Sequence, residues 1–335
     1  MDALMPTILL VLVLSVIRHF PYVLTLVQRA VKIGWNNKTL PLRKARDLGC
    51  PYEYLLNIYG RNHFKRIITF LKPSLQEEDP KLYNLVLEVL DAVHFGAILV
   101  DDIADNSLLR KGEVAAHRIF GSSETINRAY LVIFNVVMKC QRERPELVPS
   151  ILDCVTEIHQ GQDDSLVWRR DGFAFPTEID TALEAYRGCA SLKTGALFRL
   201  VGQLITCSHE LDDVMSEYGW YCQLQNDCKN VFSSEVVAAK GALAEDLING
   251  EYTYPIIVGL FSSKSARSAI TDAFSCRLEH KKLSTSALRR AVVALQSEEV
   301  RAVCLEELER VRGQNRHFAE LWARQERMSL LSLAR

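Results

Sequence analysis

Asp101, Asp102 and Asp105 stand at the end of an apolar run, LVLEVLDAVHFGAILV. Asp101 and Asp105 are one helical turn apart, so they share a face. Two like charges so placed repel by a few tenths of a kcal/mol, roughly. The arrangement is useful if a cation sits between them. Mg²⁺ suits it, because that ion takes one or two carboxylates, keeps waters and draws its other oxygens from a substrate phosphate. Arg110 follows as a phosphate donor. A DDxxD pattern alone is equally a solvated helix end. The basic residues downstream weigh for a diphosphate site.

The elements that must hold these carboxylates are helices. Tyr83 to Ala104, Ala182 to Ile205, Val214 to Phe232 and Ser286 to Arg312 carry helical periodicity. Strand signals are nearly absent, and Asn249-Gly250 is expected to end a helix. Gly and Pro are sparse, at 16 and 10, and no linker divides the chain. The expected fold is all-α: one large bundle with its site built from inward-facing side chains. With 40 basic and 41 acidic residues there is no basic excess, so no nucleic-acid partner is expected. The nine cysteines form no CxxC pair, which leaves no zinc motif or disulfide framework.

The first 30 residues are read as an apolar N-terminal helix and residues 31–335 as the helical main domain. Ala3 to Ile17 is uniformly apolar, shorter than the roughly 20 residues a span needs. No small-residue cleavage site follows it. Arg18, Arg29 and Lys32 follow, so an anchor here would leave the main domain facing the cytosol. Two readings stand: membrane contact, or a core-packed first helix.

The run DDIADNSLLRKG resembles the first aspartate-rich motif of the trans-isoprenyl diphosphate synthases, and most of all the geranylgeranyl diphosphate synthase branch. The likeness continues in order through AHRIFGSSETINRA, GQDDSLVWRR, LKTGALFRL, QLQNDCKN and KGALAEDLINGEYTYPII, over roughly residues 50 to 260. It implies an isoprenoid-synthase bundle with a central prenyl cavity, working as a homodimer with two or three Mg²⁺ ions. By the same likeness Asp101, Asp102, Asp105 and Asp227 hold metal, and Arg110, Lys193 and Lys240 contact diphosphate oxygens. Thr194 and Gln223 would line the channel near the reacting carbons. The chemistry implied is ionisation of an allylic diphosphate in a dry cavity, with metal and cations neutralising the leaving pyrophosphate. Small residues at Gly96 and Ala97 would leave room for a C20 chain; close helix packing is the other reading of Gly96.

This chain departs from the pattern in both halves. The second metal motif reads Asn226-Asp227-Cys228-Lys229-Asn230, with an amide where a carboxylate is usual. Asp227 and Asn230 still share a face, and Lys229 points away from it. The carboxylate of the GQxxD segment falls at Ser165, beside Asp164. The acceptor-side cations read Arg61, His94 and Lys111, and the Arg that should grip isopentenyl diphosphate is Phe64. Lys65 could replace it only one residue out of register. Arg and Lys are not equivalent at phosphate sites. A lost cation and a gained ring suit an acceptor with one phosphate and a flat apolar part. This resembles the indole-diterpene geranylgeranyl transferases, whose acceptor is indole-3-glycerol phosphate and whose product is 3-geranylgeranylindole. Arg61, His94 and Lys111 would hold the single phosphate while aromatics pack the ring. The alternatives are a geranylgeranyl diphosphate synthase, a terpene cyclase, and a non-catalytic partner subunit. Asn230 and Ser234 stand where a cyclase wants Ser and Glu. The cysteines, His117, His159, Trp168 and Trp220 are read as structural.

Overall fold

The computed structural model describes residues 47–173, 178–233, 245–278, 284–316 and 318. The N-terminal apolar segment, Ser234 and Lys240 lie outside them. Helices α1 (Pro51–Tyr59), α2 (Lys65–Leu71) and α3 (Leu75–Glu78) lead into α4 (Pro80–Ala104). A two-residue hairpin, β1 (Leu109–Arg110) with β2 (Glu113–Val114), precedes α5 (Ala116–Phe120), α6 (Ser122–Glu143) and α7 (Val148–Asp171). Then come α8 (Ile179–Ala190), α9 (Ala196–Thr206), α10 (Asp212–Phe232) and α11 (Glu245–Asn249). Helices α12 (Tyr254–Ser262), α13 (Lys264–Leu278), α14 (Thr285–Leu295) and α15 (Glu298–Gln314) complete the described bundle. The fold is all-α, as the periodicity predicts.

Helix α4 is its axis. Asp79 caps it, its carboxylate accepting the Leu82 N–H at 2.9 Å, and Pro80 occupies the first helical position. The helix is long and apolar enough to cross a membrane, yet 67% of that window is buried within the protein. Val86, Val89, Leu90 and Leu99 are all fully buried, each contributing about 1.5–3 kcal/mol of transfer free energy. Helix α6 packs along it, with α9, α1, α3 and α5 also against it.

Two predicted helices are interrupted. Between α8 and α9 the chain makes a π-turn over Ser191–Gly195. The extra residue per turn shifts the faces on either side, a feature frequent at functional sites. The second break is at Gln296-Ser297, where the Ser297 hydroxyl accepts from the Val300 N–H and starts α15. Glu298 and Glu299 sit in that first turn, favourable for the dipole. Gly250 does end α11, with φ +75°.

Glycines admit the π-turn. A Cβ on Gly219 of α10 would lie 2.9 Å from the Cα of Gly195, and one on Gly161 of α7 would lie 2.9 Å from the Cβ of Leu192. Gly96 has a similar duty elsewhere. Its Cβ would meet Ile133 Cδ1 at 2.9 Å and the Ala129 carbonyl at 3.3 Å. Gly96 therefore faces α6 and lets the two helices close together; it does not line a prenyl tunnel.

Candidate active site

A cavity of about 510 Å³ opens at the C-terminal end of α4, within the usual size of ligand sites. One wall is acidic. Asp101 and Asp105 come from α4, Glu245 and Asp246 from α11, and Glu251 from the loop after Gly250. Arg110, Lys111 and Lys193 bring positive charge to the same space. The inner part is lined by Ala97, Ile98, Val100, Ile158, Leu197 and Phe198, and is apolar enough for a hydrocarbon chain.

The acidic wall is held under electrostatic tension. Burial and the neighbouring Glu251 push the Asp105 carboxyl up to about 7, against the pull of Arg169. Burial also raises Glu251, with Asp246 adding to it. Burial opposes the charge on Lys193, but Asp101 and Glu251 outweigh it and hold the ammonium protonated. Arg169 links the wall together. Its Nη2 donates to Asp105 Oδ1 at 2.6 Å and to Glu251 Oε1 at 2.9 Å, and its Nη1 to the Ala104 carbonyl at 2.8 Å.

Asp102 does not belong to the metal-facing set. Its side chain is fully buried, off the cavity, and ion-paired with Arg110, whose Nε donates to Oδ1 at 2.9 Å. On a helix it projects about 100° away from Asp101, so it aims Arg110 rather than facing a ligand. Arg110 Nη2 also lies 3.6 Å from Asp101. Arg110 enters the cavity as the resemblance implies, with Asp102 as its support.

Asp227 lines the cavity edge but is only 1% exposed. The Tyr186 hydroxyl donates to its Oδ2, Gln223 Nε2 donates to Oδ1 at 2.8 Å, and the Tyr254 N–H reaches Oδ2 at 3.3 Å. Thr194 donates to Gln223 Oε1 at 2.5 Å. Lys193, Thr194 and Gln223 all line the cavity, placed there by the π-turn and α10. Asn230 gives Nδ2 to Asp246 at 3.0 Å, and its buried Oδ1 has no partner. Lys229 turns to Gln225 at 3.0 Å, away from the site as expected. Asp163 and Asp164 are exposed and off the cavity, so the displaced carboxylate of that segment contributes nothing here.

The acceptor side is aromatic. Tyr59, His63, Phe64 and His94 line it. His63 and His94 stack at 5.1 Å with planes 16° apart, and Phe64 stands edge-on to His94 at 5.3 Å. Burial, then Lys111, lowers His63 to about 4. Burial, then His63 and the two cations, lowers His94 to about 3. Both imidazoles are neutral near pH 7, so His94 offers a ring and a polar edge but no charge. Lys111 sits in the β1–β2 turn with φ +52°, followed by Gly112 at +85°, a type I′ pattern. Its Nζ lies 4.0 Å from the centre of the Tyr59 ring. Asp91, 5% exposed, accepts the N–H groups of Asn62 at 2.7 Å and His63 at 3.0 Å and fixes the turn that presents His63 and Phe64. Arg61 is exposed on that turn and off the cavity, as is Lys65. The turn that brings Phe64 inward sends Arg61 out, so Arg61 does not join His94 and Lys111 on the cavity lining.

Sequence reading missed Arg169, Glu251, Tyr59 and His63. Arg169 lies in a quoted motif but has no helical-face partner in sequence; its partners are 64 and 82 residues away. Tyr59 and His63 flank Phe64 closely enough that an aromatic cluster was legible.

The donor set fits Mg²⁺. Among the described residues no three His, Cys, Asp or Glu side chains already converge on one point. One or two carboxylates suffice for this ion when a diphosphate brings the other oxygens. Asp101 and Asp105 would hold it, and it would supply neutralisation of the leaving diphosphate. The chain's own residues set Lys193 and Arg110 in the same cavity as these carboxylates, with the apolar lining behind them.

Residues 46–291 match the model of the polyprenyl synthetase family. Prenyltransferase terC of Tolypocladium album is 46% identical over 300 residues, covering 88% of this chain and 86% of the relative. Prenyl transferase nodC of Hypoxylon pulicicidum is 47% identical over 282 residues, covering 84% of each chain. Prenyl transferase penC of Penicillium crustosum is 42% identical over 305 residues, covering 89% of this chain and 87% of the relative.

Proposed function

The chain belongs to the polyprenyl synthetase family and is a prenyltransferase, and on that premise we propose that it transfers a geranylgeranyl group to indole-3-glycerol phosphate. The C1–O bond of geranylgeranyl diphosphate breaks and pyrophosphate leaves. Carbon 3 of the indole bonds to C1 of the allylic cation. The glycerol phosphate side chain then departs from carbon 3 as an aldehyde, its hydroxyl proton is lost, and 3-geranylgeranylindole remains. The family is generally Mg²⁺-dependent, and we take Mg²⁺ as the metal here.

The observation that carries this reading is the charge-poor aromatic face of the cavity. Tyr59, Phe64 and two neutral imidazoles line it, with Lys111 as the nearby cation and Arg61 turned outward. A second diphosphate would face too little positive charge there. A flat ring with one phosphate matches it, since aromatic rings pack edge-on or offset against one another. Chain elongation with isopentenyl diphosphate is the reading this face disfavours.

We further propose a homodimer. Leu131, Phe134 and Met138 lie at helical spacing on α6 and are 40%, 60% and 57% exposed, an apolar stripe suited to a second copy. The enzyme is proposed to face the cytosol, associated with a membrane through residues 1–30.

The deciding experiment supplies the purified protein with Mg²⁺ in two reactions. One holds geranylgeranyl diphosphate and indole-3-glycerol phosphate; the other holds farnesyl diphosphate and isopentenyl diphosphate. Geranylgeranylindole in the first alone supports the proposal. Elongation in the second alone makes the enzyme a diphosphate synthase and overturns it.

A further inference from the structure

We propose that Glu251 belongs to the metal-binding carboxylate set, paired with Asp105 and replacing the carboxylates this chain lacks at Asn226 and Ser165. The proposal rests on the family's need for metal and is independent of the acceptor. The geometry begins with Arg169. Its Nη2 bonds Asp105 Oδ1 at 2.6 Å and Glu251 Oε1 at 2.9 Å, so those oxygens are no farther apart than the sum of the two bonds, 5.5 Å. Both carboxylates line the cavity. One guanidinium nitrogen therefore serves two anions, with Asp101 close enough to act on the same guanidinium. Two carboxylates at this separation are within reach of one divalent cation whose remaining positions go to water and diphosphate.

In the two motifs that depart from the family pattern, no carboxylate is left to do this. Asp227 already accepts from Tyr186, Gln223 and the Tyr254 backbone. Its neighbour Asn226 is an amide, and Asp163 and Asp164 face solvent.

A separate observation points to a ligand at the same place. Thr253 is 5% exposed and lines the cavity, and its hydroxyl has no partner. Thr253 has extended backbone, with φ −101° and ψ 168°. Glu251 and Thr253 both line the cavity. Tyr252 between them packs the other way, against Phe274 at 4.9 Å and Phe173 at 5.4 Å. A buried hydroxyl left without a bond is costly unless something oxygen-seeking or oxygen-bearing meets it.

The test titrates the full-length protein with Mn²⁺ in the presence of inorganic pyrophosphate and counts free Mn²⁺ by electron paramagnetic resonance. Glu251→Gln keeps the shape and can still accept from Arg169. It is expected to weaken Mn²⁺ binding at least about tenfold, or to lose one ion per chain, as Asp105→Asn does; even outer-shell partners of a metal cost that much. Wild-type stoichiometry and affinity in Glu251→Gln would overturn the proposal and leave Glu251 as a clamp on Arg169. Should that variant not fold, Glu251→Asp is read instead by the rise in Tm that Mn²⁺ and pyrophosphate produce. A smaller rise than in wild type supports the proposal, and an equal one refutes it.

Discussion

Gly219→Ala tests whether the π-turn is the device that sets the active site. Alanine is the better helix former, worth about 1 kcal/mol over glycine in a helix interior. On propensity alone the substitution in α10 should stabilise the protein. The structure reverses that sign. The added Cβ would lie 2.9 Å from Gly195 Cα, 3.3 Å from Gly195 N and 3.3 Å from Phe198 Cδ2. Two of those atoms are backbone and cannot swing aside. An ordinary carbon–carbon contact is about 3.5–4.0 Å, so α10 and the π-turn must separate by about half an ångström or more. Overpacking of this kind costs about 1–3 kcal/mol, which leaves a net loss of roughly 1 kcal/mol and a fall in Tm of about 1–2 °C. The displaced segment carries Lys193 and Thr194, so kcat should fall while the purified protein remains folded. Gly188→Ala is the control. It also lies within a helix, α8, and nothing stands within 4 Å of its Cβ position; it should raise Tm slightly and leave turnover unchanged. Paired thermal melts and steady-state kinetics decide the matter. If both variants gain stability and keep wild-type kcat, the close approach at Gly195 is not a constraint.

Other perturbations address the two faces of the cavity. Phe64→Arg restores a cation beside neutral His94 and should raise use of isopentenyl diphosphate at the expense of an indole acceptor, measured as the ratio of kcat/KM values. Asp91→Asn removes the anion holding the Asn62 and His63 N–H groups and should cost about 1–3 kcal/mol of stability. The acceptor KM should rise while affinity for the allylic diphosphate, read by equilibrium binding, stays the same. The Asp105 carboxyl, raised from 3.8 to about 7, gives a pH signature without metal. The folded state holds a proton that the unfolded state has released, so this group's contribution is present below about pH 4 and is lost as pH rises to about 7. His63 and His94, both lowered, act in the opposite sense over part of that range. The readout is therefore the wild-type Tm minus that of Asp105→Asn: this signed value should fall as pH rises from 4 to 7, and a pH-independent value would contradict the assignment.

The helical class, the carboxylates that close α4, and the residues Lys193, Thr194 and Gln223 that the structure places along the cavity were all legible in the chain. These depend on local periodicity and on short spacings such as Asp101 to Asp105, which a helix converts directly into a shared face. The phenylalanine at 64 was legible as a lost cation, because residue type alone decides charge. Direction was not. Asp102 and Arg61 are of the right chemical type, but helix phase buries the first under Arg110 and the turn held by Asp91 sends the second outward. Gly96 was equally compatible with a tunnel and a helix contact until Ile133, 37 residues later, settled it. The π-turn leaves no mark in hydrophobic spacing, since Ala182 to Ile205 keeps its apolar face across it; only the approach of Gly161 and Gly219 makes room for it. The acidic wall was the least accessible of all. Arg169 meets Asp105 and Glu251 across 64 and 82 residues of chain, and contacts of that range exist only once the helices have packed.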